Sequence, residues 1–322
     1  MNRSEFFKLS LAGGLGIESL LSRGVAAAAR TEPGPLPRRP LGKTGEHLSI
    51  IGLGGIVVSE VEQSHADQAV REAFEKGINY FDVAPSYGNA QDRLGPALEP
   101  YRKQVFLACK TTERDRAGSE RELNQSLKTL RTDYLDLYQL HAITTREDID
   151  KIFAPGGALE TFVRAKKEGK VRFLGFSAHS VEAALAAMER YDFDTILFPI
   201  NYVAWFKGNF GPQVVEKANE KGMGILALKA GAHHRFGKGE KNKYGKCWYL
   251  PLESEEEIAR SYYFTLSLPV TACLPPGEEQ FFRLALKVAT SFVPPGELDR
   301  KNLQAAAAET ANPIFEYPSW KG

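Results

Sequence analysis

The feature that most constrains this chain is an eightfold alternation of short apolar runs with longer amphipathic ones. The apolar runs cover residues 48–53, 78–81, 105–108, 135–140, 172–176, 195–200, 224–228 and 270–274. Between and after them, residues 64–76, 91–99, 119–130, 158–167, 181–190, 212–221, 254–267 and 278–290 read as helices. In the first of these, Ala66, Ala69, Val70, Ala73 and Phe74 recur at the spacing of one helix face. Ser119 stands three residues before Glu122, which predicts a capping box there. Most strand-like runs are almost continuously apolar rather than alternating, as in parallel strands covered on both faces. Eight such repeats predict an α/β fold, a (β/α)8 TIM barrel in a single domain. The 322 residues suffice for one barrel. An open doubly wound sheet fits less well, because Gly52-Leu53-Gly54-Gly55 lacks the third glycine of a dinucleotide-binding loop.

The barrel is expected over residues 40–312, with a C-terminal tail at 313–322. Ahead of it, Arg3, Phe6 and Lys8 precede a mostly apolar stretch at 9–21 and the small residues Ala26–Ala29. That order predicts an export signal over 1–29, followed by a Pro-rich linker at 30–39. The stretch is too short and too rich in glycine for a stable membrane span. With 41 basic and 40 acidic residues, the chain has no long-range field for nucleic acid. Its three cysteines are an odd number without a Cys-x-x-Cys pair, and no disulfide framework is expected. His65, His233 and His234 lack further ligands at metal-binding spacing, so no metal is expected.

Four polar residues lie at or just past the ends of three successive apolar runs. Asp82 and Tyr87 follow the second run, Lys110 follows the third and His141 the fourth. Barrel enzymes place their chemistry at the carboxyl ends of strands. A free phenol has a pKa near ~10 and is a weak acid at neutral pH. A neighbouring ammonium lowers that pKa, and a carboxylate holds the ammonium in place. Tyr87 is therefore the candidate proton donor, tuned by Lys110 and Asp82.

The pattern Gly77-x-x-x-x-Asp82-x-Ala84-x-x-Tyr87-Gly88, followed by Leu94-Gly95-x-Ala97-Leu98, resembles the aldo-keto reductase superfamily, and the resemblance runs from about residue 39 to about 286. It implies an oxidoreductase that moves a hydride between a nicotinamide cofactor, NADP or NAD, and a small carbonyl or alcohol substrate. It also implies that His141 orients the carbonyl. Ser177 matches a serine that contacts the nicotinamide amide in the family, whereas Ala178 replaces an asparagine. Pro199 replaces a glutamine, and Asn201, two residues on, is either its substitute or a side-chain turn. Lys229 stands where an aromatic ring often stacks on the nicotinamide. Arg283 is the displaced candidate for a 2′-phosphate, with Glu278 and Glu279 beside it opposing NADP. The basic loop at 230–252 suits a pyrophosphate or a solvated insertion. The signal resembles a twin-arginine one, with Ser4 in place of the second arginine, and implies periplasmic export. A rival reading is a nucleotide-binding regulatory barrel with little or no turnover.

Overall fold

The computed structural model describes residues 36–310 and 312–320. The expected export signal and most of the linker lie outside them. The described chain opens with an antiparallel hairpin, β1 (Arg38–Pro40) and β2 (His47–Ser49). Barrel strands follow: β3 (Leu53–Gly54), β4 (Tyr80–Asp82), β5 (Phe106–Thr111), β6 (Leu135–Ile143), β7 (Val171–Ala178), β8 (Thr195–Pro199) and β9 (Gly224–Leu228). A second hairpin, β10 (Ala232–Arg235) and β11 (Tyr249–Pro251), precedes the last barrel strand, β12 (Ala272–Leu274). The eight barrel strands are all parallel and in sequence order. A parallel bridge between Ile51 and Cys273 joins the first to the last, with Cys273 N–H donating to the Ile50 carbonyl at 2.9 Å. The fold is the expected (β/α)8 barrel.

The helices are α1 (Gln63–Glu75), α2 (Ala90–Leu98), α3 (Arg116–Thr129), α4 (Arg146–Phe153), α5 (Ala158–Lys167), α6 (Val181–Arg190), α7 (Tyr202–Phe206), α8 (Pro212–Glu220), α9 (Glu255–Leu266), α10 (Glu279–Ala289) and α11 (Glu297–Glu309). Helix α1 buries Ala66, Ala69, Val70 and Ala73, the stripe its spacing predicts. None of the described helices is long and apolar enough to cross a membrane.

Alternation along the strands divides the core. Leu48, Tyr80, Phe106, Leu137, Leu197, Leu226 and Leu274 belong to one buried cluster that includes the barrel interior, while a larger cluster packs strands against helices. The β1–β2 hairpin floors the barrel. Its turn carries Gly42 at φ +51°, where a Cβ would lie 2.3 Å from the Gly224 nitrogen, so only glycine fits.

Several expectations needed correction. The 48–53 run splits, because residues 47–49 pair with 38–40 and the barrel strand begins after them. The capping box at Ser119 does not form. Asp115 caps α3 four residues earlier, accepting from Gly118 N–H at 2.8 Å, and Glu122 instead binds Thr111 and Thr112. The 230–252 loop contains a hairpin. Helices α4, α7 and α11 add to those the spacing predicts.

Candidate active site

Lys110 and Asp82 are 0% and 1% exposed, and they form an ion pair inside the carboxyl end of the barrel. Two buried charges persist only when each is compensated. Asp82 also accepts from Gln139 Nε2 at 3.1 Å and from the Tyr80 hydroxyl at 3.3 Å. Lys110 Nζ reaches the Val83 carbonyl at 3.3 Å and stands 5.0 Å from the Tyr87 ring centre. Burial alone would lower the Lys110 pKa, but the attraction of Asp82 and Tyr87 outweighs it and the net shift is upward.

Tyr87 keeps part of its ring at the surface while its hydroxyl is closed in. Burial raises its pKa. Lys110 pulls in the expected direction but does not overcome burial, so the net shift is upward. The phenol therefore carries its proton at neutral pH, and Lys110 moderates its acidity rather than ionising it.

His141 lies edge-on to Tyr87, with ring centres 5.6 Å apart, and its Nδ1 is 3.3 Å from Ser86 Oγ. Burial, then the charge of Lys110, pushes its pKa down to about 3. The imidazole is neutral at physiological pH and serves as a hydrogen-bonding group. Its position depends on a bulge between Leu140 and Ile143, where Ala142 adopts φ +53°. Arg114 holds that bulge, donating Nη2 to the His141 carbonyl at 2.7 Å while pairing with Asp148 at 2.8 Å. Ser177 Oγ accepts from the Ala142 N–H at 2.7 Å.

The other candidates fall on the opposite side of the mouth or away from it. Asn201 is fully buried and caps α7, accepting from Ala204 N–H at 2.8 Å and donating to the Lys229 carbonyl at 3.3 Å. Lys229 follows β9, with its ammonium facing the rings of Trp248 and Tyr249. Arg283 makes its described contacts outside this group. It is exposed on α10 and ion-paired with Glu72 at 2.6 Å and Glu279 at 2.7 Å. Lys246, from the basic loop, donates to the carbonyls of Val57 and Ser59 at 2.9 and 2.8 Å, closing that loop across the mouth.

Sequence reasoning missed Tyr80, Gln139, Arg114 and Asp148. Two of them left a signal: Tyr80 and Gln139 lie two residues before Asp82 and His141, and side chains two apart share a strand face. Among the described residues no group of three or more His, Cys, Asp or Glu could hold a metal ion.

Residues 50–248 match the profile of the aldo/keto reductase family. An uncharacterized oxidoreductase, YqkF, of Bacillus subtilis is 34% identical over 155 residues, 44% of this chain and 48% of that protein. L-galactose dehydrogenase of Arabidopsis thaliana is 30% identical over 179 residues, 51% of this chain and 55% of the relative. These alignments span about half the length of the curated relatives. Among solved structures, a putative aldo-keto reductase from Pseudomonas aeruginosa superposes with a TM-score of 0.62 at 25% identity, over 79% of this chain and 95% of that one. The holo form of aldo-keto reductase AKR11C1 from Bacillus halodurans gives a TM-score of 0.68 at 21% identity, over 88% and 99%, and supports the fold. With the family profile matching more than half of its residues, the chain belongs to the aldo/keto reductase family.

Proposed function

We propose that this protein is a nicotinamide-dependent carbonyl reductase or alcohol dehydrogenase with Tyr87 as the proton donor. The observation that carries the reading is the enclosed Lys110 ammonium, held by Asp82 and 5.0 Å from the Tyr87 ring, beside a neutral His141. When bound, a reduced nicotinamide supplies the hydride for the carbonyl carbon and is oxidised in doing so. Tyr87 gives its proton to the carbonyl oxygen as negative charge develops there, and regains one from solvent afterwards. Lys110 stabilises the phenolate left behind. Neutral His141 donates a hydrogen bond to the same oxygen, strengthened by a water-poor setting. Arg114, with Asp148, keeps the His141 bulge in position.

The mouth's polar atoms fit such a cofactor. Ser177 Oγ accepts from Ala142 N–H and keeps its own O–H to donate to a carboxamide. Ala178 and Pro199 add no side-chain donors, so the amide is held by fewer bonds than the family pattern implies. With Arg283 bound by two carboxylates, NADH suits the site at least as well as NADPH. The name of the Arabidopsis relative supports including alcohol oxidation. The regulatory alternative draws on Ala178, Pro199 and the committed Arg283. Export through the N-terminal signal remains part of the proposal, and N-terminal sequencing of periplasmic protein tests it.

The functional test is NADH and NADPH fluorescence on adding protein, followed by a panel of aldehydes, ketones and polyols. Cofactor binding with turnover, abolished in Tyr87→Phe, is the expected result. Tight cofactor binding with no turnover across the panel would favour the regulatory reading.

A further inference from the structure

Among the described residues, one cation of the mouth has no counter-ion. Lys229 adopts φ +68°, a region sparsely populated by residues with a Cβ. Its carbonyl is fixed by Ala232 N–H at 2.9 Å and by Asn201 Nδ2 at 3.3 Å, so the backbone that aims the side chain is held from both sides. Nζ stands 4.5 Å from the Tyr249 ring centre and 5.3 Å from that of Trp248. Among the described residues it has neither an ion pair nor a hydrogen-bond acceptor. The residue as a whole is partly exposed while its head is surrounded by protein. Burial brings its pKa down to about 8, which leaves it mainly an ammonium at neutral pH. A desolvated ammonium with aromatic faces on one side attracts an anion more strongly than one in water.

The surroundings indicate which anion. Lys229 acts electrostatically on His179, and His179 on His141, whose ring lies 5.6 Å from that of the proton donor Tyr87. Both imidazoles are neutral at physiological pH, with pKa values of about 4 and about 3. Of these three groups, Lys229 carries the charge. His179 also borders a cleft of 870 Å³ whose walls include Thr144, Thr145, Arg235 and Lys238, with Glu316 as the carboxylate among its described lining. A nicotinamide nucleotide keeps its diphosphate a ribose away from the reacting ring. A small acid keeps its carboxylate within a few bonds of its carbonyl.

We propose that Lys229, with His179 beside it, binds a carboxylate of the substrate, so the preferred substrates are aldehyde or keto acids and the corresponding hydroxy acids. This rests on the nicotinamide-dependent reading above and assigns its substrate class. The ammonium offers three donors to the carboxylate.

The test uses 4-carboxybenzaldehyde and its neutral methyl ester, methyl 4-formylbenzoate, which present the same carbonyl. The expected acid-to-ester ratio of kcat/KM is about tenfold or more in the wild type. It should collapse in Lys229→Met, chiefly through KM, and be partly retained in Lys229→Arg. An equal ratio in wild type and Lys229→Met overturns the proposal. So does a loss of NADH affinity in Lys229→Met without change in the ratio, which would assign the ammonium to the cofactor. If NADH binds but neither aldehyde turns over, calorimetry with 4-(hydroxymethyl)benzoate on NAD-loaded protein decides. Binding about tenfold tighter to wild type than to Lys229→Met supports the proposal, and equal binding overturns it. If no nicotinamide binds at all, the functional reading fails separately, and the same calorimetry on the free protein still tests the carboxylate site.

Discussion

The two sides of the barrel mouth differ in how far their polar groups are already committed. On the β4–β6 side, Asp82 accepts from Lys110, Gln139 and Tyr80, and Arg114 ties the His141 carbonyl to Asp148. On the β7–β9 side, Lys229 has no acceptor among the described residues, and Ala178 and Pro199 offer no polar side-chain atom. The first side is preorganised, as a group that must stabilise charge in a transition state has to be. The second is left open for what binds. The contrast implies that substitutions on the first side act on rate and folding, and those on the second on affinity and choice of ligand.

Tyr87→Phe should have the largest effect, lowering kcat by about 10²–10⁴-fold, since only the proton donor is lost. Cofactor affinity, measured by nicotinamide fluorescence, should change far less. If the variant keeps more than about a third of the wild-type rate, the preorganised side is not where the proton comes from.

Lys110→Met comes next and is expected to act twice. It removes the cation beside Tyr87 and leaves Asp82 as a buried charge, a change that costs roughly 3–5 kcal/mol when one partner of such a pair is lost. Denaturant unfolding should register that loss along with the lost activity. Gln139→Leu should be milder, about 1 kcal/mol, because one hydrogen bond to Asp82 goes while the ion pair stays. Gln139 Oε1 has no partner to lose. Equal destabilisation by the two variants would show that Asp82 is not charged against Lys110.

The same asymmetry explains what the sequence made legible. Asp82, Lys110 and His141 sit at strand ends, where the apolar run stops and strand geometry fixes the direction of the side chain. Tyr87 follows in a short loop with its own spacing. The residues that hold them were harder to see. Arg114 and Asp148 come from a loop and from α4, and only the folded chain brings them to the His141 carbonyl. Asn201 reads in the sequence as either a ligand contact or a side-chain turn, and its side chain caps α7 while also reaching the Lys229 carbonyl. Arg283 carried the right charge, but the helix pairing of α1 with α10 supplies Glu72 and Glu279 to neutralise it. Phe315, in the tail, stacks on His179 with ring centres 5.4 Å apart, a contact across more than a hundred residues that no local pattern announces.

Cofactor choice probes the open side directly. A 2′-phosphate needs an uncommitted cation, and Arg283 is held by two carboxylates, one of which also binds His65 at 2.6 Å. Separate titrations should give an NADPH preference below about 100-fold, or about 2.7 kcal/mol. A larger preference would mean that a cation of the 230–252 loop takes the phosphate, and that this side is more preorganised than its side chains indicate.

The effect that is smallest at neutral pH, and grows only on acidification, is on stability, and it comes from the histidine at the junction of the two sides. His141 faces Lys110, Arg114 and His179, and burial with those charges pushes its pKa down to about 3. In the unfolded chain it titrates near ~6.5. Between those values the unfolded state binds the extra proton, so stability rises with pH across the window and levels off above it. Acidification from about pH 6.5 towards pH 4 should therefore lower the melting temperature more steeply in wild type than in His141→Asn, which has no such group to titrate. Carboxylates titrate in the same range in both proteins, and the difference between the two curves isolates the histidine. Parallel curves would mean that His141 protonates freely in the folded state. The neutral hydrogen-bond donor assigned to it beside Tyr87 would then carry a charge in mild acid, and catalysis would show an acid limb at the same pH.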